Sequence, residues 1–155
     1  TSAKLRDRIV ADLARLRAKA AALGLTSASP EAAVSFTGQI DPATLGELYR
    51  RAAVFAMPSL LEGFGLVYPE AMAAGKPCIA LQGTAPAEIV VDGETGRLVP
   101  QDDPAALGGA LVDLLGDPEK ARAMGEAGRR RYEREFTARA FERRFQPVVD
   151  ELVGG

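Results

Sequence analysis

Apolar residues recur along this chain in two rhythms, and the rhythm separates its elements. Leu5, Ile9, Leu13, Leu16, Ala20 and Leu23 step by three and four, which places them on one helical face, and Gly24 follows as a stop. That stripe is expected to pack into a core, or to form an interface if neighbouring strands come from elsewhere. Val34-Ser35-Phe36 alternates as a short strand closed by Thr37-Gly38. Asp41-Pro42 reads as an N-cap with proline in the first helical position, and Leu45, Leu48 and Tyr49 form the apolar face of the helix it opens. Ala53-Val54-Phe55-Ala56-Met57 is an unbroken apolar run ended by Pro58-Ser59, as expected of a strand buried on both faces. A short helix around Glu70 to Ala74 ends at Gly75, and Ile79-Ala80-Leu81, led by Pro77-Cys78, is a second buried run. Asp92-Gly93-Glu94-Thr95-Gly96 is dense in turn residues and separates Ile89-Val90-Val91 from Leu98-Val99. The remainder reads as helices opened by Asp103-Pro104, Asp117-Pro118 and Thr137. Buried strands alternating with helices predict a doubly wound, Rossmann-like α/β domain with a parallel sheet.

Composition narrows the chemistry. The 155 residues carry 19 Lys and Arg against 21 Asp and Glu, a formal net charge of −2, which argues against a nucleic-acid binder. There is no histidine, so His-based triads, His-ligated zinc and imidazole acid–base catalysis are excluded. The single cysteine, Cys78, sits in an apolar run and reads as a small hydrophobe. No apolar run approaches the ~20 residues of a membrane span. The first residues enter a charged helical pattern with no leader, so a cytoplasmic protein is expected.

The most informative stretch runs from Pro58 to Pro77. A buried strand ends, a turn with Gly63 and Gly65 follows, and a helix begins near Leu66 and Val67. In a doubly wound sheet such turns lie at the carboxyl ends of the strands, where ligands bind. Two glycines allow close backbone approach and positive φ, and the helix start offers N–H groups to an anion such as a diphosphate. Glu62 and Glu70 flank the turn with seven residues between them. Carboxylates accept hydrogen bonds from hydroxyl groups, so two separated ones suit two polyols. Together these features fit a sugar nucleotide. Taken singly, Glu62 and Glu70 read as surface carboxylates, Phe64 as a core residue, Tyr68 as packing or surface, and Arg129-Arg130-Arg131 with Glu133, Arg134 and Glu135 as a solvated face with i,i+4 pairs.

The stretch resembles the motif of the group 1 glycosyltransferases of GT-B architecture: Pro-Ser, then Glu-Gly-Phe-Gly, a second Glu, then Ala-Met-Ala-x-Gly-x-Pro. Val34-Ser35-Phe36-Thr37-Gly38 resembles the family's nucleotide-side strand and turn. Asp92-Gly93-Glu94-Thr95-Gly96-Arg97-Leu98-Val99 resembles its "DGxTGxLV" hairpin, and Met124-Gly125-Glu126-Ala127-Gly128-Arg129 with Phe136-Thr137 its helical tail. The resemblance implies one partial C-terminal, donor-binding domain over residues 1–155, with 131–155 as its tail. It implies that Glu70 holds the ribose hydroxyls and that Glu62, near the reacting centre, contacts the donor sugar and is the catalytic residue. The N–H groups of Gly63, Phe64, Gly65, Leu66 and Val67 face the sugar and diphosphate, and Gly38, Gln39 and Ile40 lie near the base. The donor is a nucleotide-diphospho-sugar, anomeric configuration is retained, and no metal or other cofactor is required. The resemblance also implies an acceptor, a sugar, lipid or small molecule, held by an N-terminal domain, which is where a peripheral approach to a membrane surface would be made.

Three features depart from the family pattern. Its "GGxPE" turn is replaced by Gly83-Thr84-Ala85-Pro86-Ala87-Glu88. The opening strands, and the Arg and Lys that bind diphosphate, do not precede Leu5, and Lys76 is no equivalent of either. Nor is the acceptor domain present. This chain alone is therefore expected not to catalyse transfer. The competing reading is a non-catalytic nucleotide-sugar-binding or scaffolding domain completed by a partner chain. GT-B-like epimerases and phosphorylases fit less well, because the histidine and pyridoxal-lysine contexts they use are not found.

Overall fold

The computed structural model describes residues 2–26, 33–60 and 63–154. The chain divides into two compact units, Thr1–Asp41 and Pro42–Gly155. In the first, helix α1 spans Ser2–Ala22. Gly24 adopts φ +67° and the Leu25 N–H returns to the Ala20 carbonyl at 3.0 Å, closing the helix where the sequence predicts a stop. The predicted stripe is largely uncovered: Leu16 and Leu23 are exposed, Leu13 is half-buried and Ala20 is buried, while the side chains of Leu5 and Ile9 lie outside the described residues. Periodicity identifies a face; it does not supply a surface to cover that face. Val34-Ser35-Phe36 is not a strand. It makes one backbone bond, Val34 N–H to the Leu25 carbonyl at 2.9 Å, and no ladder partner exists for it among the described residues.

The second unit carries α2 (Pro42–Arg51), β1 (Phe55–Ala56), α3 (Val67–Ala73), β2 (Cys78–Leu81), the single turn α4 (Pro86–Ile89), β3 (Gly96–Val99), α5 (Pro104–Gly116), α6 (Pro118–Glu135) and α7 (Ala138–Val153). Residue 131, where the sequence places the start of the tail, falls inside α6. Three caps act as their sequence implies. The side chains of Asp103, Asp117 and Thr137 accept from the N–H groups of Ala106, Lys120 and Ala140 at 2.9, 3.0 and 3.1 Å.

The sheet is parallel in the order β1-β2-β3. Phe55 lies opposite Cys78, and Cys78 to Leu81 run opposite Gly96 to Val99. All four residues of β2 are buried, and they alternate between two layers. Cys78 and Ala80 join Tyr68, Ala71, Met72, Ile89 and Val90 on one face; Ile79 and Leu81 join Val99, Ala110, Leu114, Ala121 and Met124 on the other. The Cys78 thiol is fully buried, and desolvation pushes its pKa up to about 12. β1 is shorter than the apolar run predicts and is not buried on both faces: Ala53 and Ala56 are exposed and Phe55 half-buried. Among the described residues it pairs on one side only, and alanine tolerates that exposure. The Asp92–Gly96 turn does not open a hairpin. It closes on itself through the Asp92–Gly96 bridge and the Gly93 N–H to Gly96 carbonyl bond at 2.9 Å, and delivers β3 parallel to β2.

Helix α6 packs on α3 and meets the turn just after it at backbone distance. A Cβ on Gly125 would stand 2.0 Å from the Gly75 carbonyl oxygen. On the outer side, α7 leaves Phe141 and Phe145 exposed and stacked at 5.3 Å. No helix among the described residues is long and apolar enough to cross a membrane. The substitution Gly125→Ala forces α6 off this contact and is expected to destabilise the fold by about 2 kcal/mol, the usual scale of overpacking. A urea-unfolding midpoint equal to that of wild type would refute the close approach.

Candidate functional site

The carboxyl ends of the three strands open into the connections 57–66, 82–85 and 100–103, the edge where ligands gather in open parallel sheets. The first connection is the one that the sequence singles out. Gly65 is buried at φ +61°, and a Cβ there would meet Tyr68 at 3.2 Å, Ile89 at 3.3 Å and Pro86 at 3.4 Å. Both the conformation and the space call for glycine. Gly63 differs: no described residue would crowd a Cβ there, so the packing demand for glycine falls on Gly65. Tyr68 holds the turn from below. Its ring is fully buried, stands edge-on to Phe55 at 5.5 Å, and its hydroxyl donates to the Met57 carbonyl at the end of β1.

α3 follows with Leu66 already in helical conformation and no side-chain cap. Among the described residues, the N–H groups of Gly65, Leu66 and Val67 have no hydrogen-bond acceptor, whereas the Tyr68 N–H donates to the Gly65 carbonyl at 2.9 Å. Phe64 is 84% exposed, which removes the core reading for that ring.

Three concavities surround the turn. Leu66 and Glu70 line a cleft of about 520 Å³ between α2 and α3, with Leu45, Tyr49 and Tyr132 among its walls. Gly63 and Phe64 line another of about 450 Å³, with Glu88, Arg131 and Arg144. A smaller one of about 200 Å³ lies over the strand ends, between Pro58, Leu81, Val99 and Asp103. The turn thus distributes the predicted donor-binding residues over two adjacent surfaces. Glu62 lies outside the described residues. Gly38, Gln39 and Ile40 belong to the first unit, where Gly38 adopts φ +66°.

Two side chains carry more than their sequence positions suggested. Tyr49, read as part of an apolar face, donates its hydroxyl to Glu70 Oε2 at 3.1 Å. Desolvation, then the bond to Glu70 and its charge, raises the phenol pKa to about 12. The signal available in sequence was the residue type, since tyrosine combines an apolar body with a polar end. Arg131, read as part of a solvated face, instead reaches across to α4. Its Nε donates to the Ile89 carbonyl at 2.9 Å and a terminal nitrogen to the Glu88 carbonyl at 2.9 Å, and it pairs with Glu135 at 3.1 Å. Those bonds close the carboxyl end of the turn that holds Pro86 and Ile89 against Gly65. Arg129 and Glu133 do form the expected i,i+4 pair at 3.1 Å.

The family described as "Glycosyl transferases group 1" matches residues 11–131. A "GDP-mannose-dependent alpha-(1-6)-phosphatidylinositol monomannoside mannosyltransferase" of Mycolicibacterium smegmatis is 43% identical over 103 residues, 62% of this chain and 27% of that protein. The solved sucrose-phosphate synthase of Thermosynechococcus elongatus superposes with a TM-score of 0.78 at 35% identity, covering 93% of this chain and 35% of the other. The C-terminal domain of a glycosyl transferase group 1 family protein from Francisella tularensis superposes with a TM-score of 0.75 at 27% identity, covering 84% of this chain and 65% of that one. The sheet is the Rossmann-like sheet of the C-terminal half of a GT-B fold, and the chain spans only about a quarter of the mannosyltransferase's length.

The tyrosine–carboxylate pair gives a titration to measure. The folded Tyr49 phenol keeps its proton to about 12 against an ordinary value of 10.0. The stability linked to it is therefore fully present below the ordinary value and is lost as pH rises through about 12. Ultraviolet titration of wild type against Glu70→Gln is expected to show one phenol moving down part of the way, because burial is the larger cause. An unmoved midpoint would show that the carboxylate does not contribute.

Proposed function

The chain belongs to the group 1 glycosyl transferases, and on that premise we propose that it forms the donor-binding part of a retaining, metal-independent enzyme. The enzyme transfers a hexosyl group from a nucleotide-diphospho-sugar. The observation that carries this reading is the strand–turn–helix from Phe55 to Ala73, where one obligatory glycine sets the helix start beside a cleft that Glu70 lines. In this reading Glu70 accepts hydrogen bonds from the ribose hydroxyls. The diphosphate lies against the N–H groups of Gly65, Leu66 and Val67, for which the absence of a competing acceptor among the described residues is support. Gly63 and Phe64 border the donor sugar, Glu62 contacts its hydroxyls, and Gly38, Gln39 and Ile40 serve the base.

During transfer the bond from the anomeric carbon to the diphosphate oxygen breaks, a bond to the acceptor hydroxyl oxygen forms on the same face, and that hydroxyl's proton passes to the departing diphosphate. Negative charge grows on the departing diphosphate, so donors already aimed at it stabilise the transition state more than the ground state. The acceptor, a sugar, lipid or small molecule, is bound outside this chain, and a peripheral approach to a membrane belongs to that part of the enzyme. The enzyme as a whole is cytoplasmic. The name of the Mycolicibacterium relative makes GDP-mannose the first donor to try, with UDP- and ADP-sugars beside it.

Glu70→Ala is expected to weaken nucleotide binding by roughly tenfold or more, the scale of hydrogen bonds to a charged group. Calorimetric titration measures it, and wild-type affinity in that variant would remove Glu70 from the site. In the full-length enzyme Glu62→Ala is expected to lower transfer more than nucleotide binding. A single-turnover assay of the present chain with labelled donor is expected to yield no transfer product; product formation would overturn the assignment of acceptor binding to another domain.

A further inference from the structure

We infer that Tyr49 is a positioning residue for Glu70, holding its carboxylate so that the remaining oxygen meets a vicinal diol of the bound nucleotide. The inference rests on the reading of Glu70 given above and assigns a role to a residue on a different helix. Tyr49 stands 21 residues before Glu70, and its hydroxyl occupies Oε2 at 3.1 Å. Among the described residues, Oε1 has no hydrogen-bond partner, and the cleft between α2 and α3 is lined by both side chains. An exposed glutamate ordinarily samples several rotamers, and a diol that binds one of them must select it at an entropic cost. A donor fixed on one oxygen removes that freedom before the ligand arrives.

The donor is itself fixed. The Tyr49 ring packs on Phe55 at 5.7 Å, Phe55 packs edge-on to Tyr68 at 5.5 Å, and Tyr68 bonds the end of β1. Tyr49 is thereby tied to the same aromatic row that seats the Gly65 turn, so the orientation of Glu70 and the helix start are set by one structure.

The alternative is a plain structural strap between α2 and α3, and a ligand lacking the diol separates the two. The purified chain is titrated calorimetrically with UDP, GDP and ADP, and then with the 2′,3′-dideoxy form of whichever binds. Tyr49→Phe, which keeps the ring, is expected to weaken the ribonucleotide by roughly threefold to tenfold and to leave the dideoxynucleotide at wild-type affinity. In a Glu70→Ala background Tyr49→Phe is expected to add nothing. A packing defect weakens both nucleotides alike, so the comparison holds even if the variant unfolds at lower urea. Equal affinity of Tyr49→Phe and wild type for the ribonucleotide, or equal loss for both nucleotides, overturns the positioning role while Glu70→Ala can still report a ribose site. Failure of the wild-type chain to bind any of the three, or an unaffected Glu70→Ala, overturns the reading of Glu70 and the role of Tyr49 with it.

Discussion

A Cβ at Gly65 would press on Tyr68, Ile89 and Pro86 at 3.2 to 3.4 Å, and the main chain there turns left-handed. Most of what surrounds the candidate site follows from that one constraint. The residue is closed in by Tyr68 on one side and by Pro86 and Ile89 on another, so the turn is seated on two elements at once. Tyr68 ties it to the end of β1, and Arg131 braces α4 from α6 through two carbonyl bonds. Backbone N–H groups are useful to a ligand only if they are held in place before it arrives, and here the holding is done by buried rings and a half-covered guanidinium rather than by the loop itself.

The same logic shapes the layers. β2 is covered on both faces because α3 and α4 pack on one and α5 and α6 on the other, and its small residues Cys78 and Ala80 let α3 lie close. α6 then approaches α3 through glycine, which brings Arg131 within reach of α4. The distant tail of the chain thus supports the turn after the first strand of this unit, a long-range arrangement that no local sequence window reveals.

What could be read from the sequence was what local chemistry dictates. Asp103, Asp117 and Thr137 announce their helices because a side-chain oxygen beside free N–H groups needs no tertiary context. The buried run at β2 and the glycine turn before α3 were legible for the same reason, as was the family, whose motifs fall in order along the chain. Covering surfaces were not legible. Leu16 and Leu23 keep perfect helical spacing while exposed, Val34-Ser35-Phe36 alternates with no strand partner among the described residues, and Ala53 and Ala56 are apolar enough to suggest burial but small enough to do without it. Within the site, Gly63 and Gly65 look equivalent in sequence, and only packing distinguishes them. Tyr49 and Arg131 were hidden by their settings, an apolar stripe and a charge run, because their decisive partners lie 21 and more than 40 residues away.

The burial of Cys78 has a practical side. The thiol sits on the middle strand, closed to solvent and held protonated, so electrophilic reagents meet neither access nor thiolate while the sheet is intact. Only an opening that parts β2 from its covering layers uncovers the sulfur. Alkylation of this lone native thiol therefore clocks rupture of the sheet, and a reporter cysteine placed on the outer surface can be modified selectively without first removing the one that nature put inside.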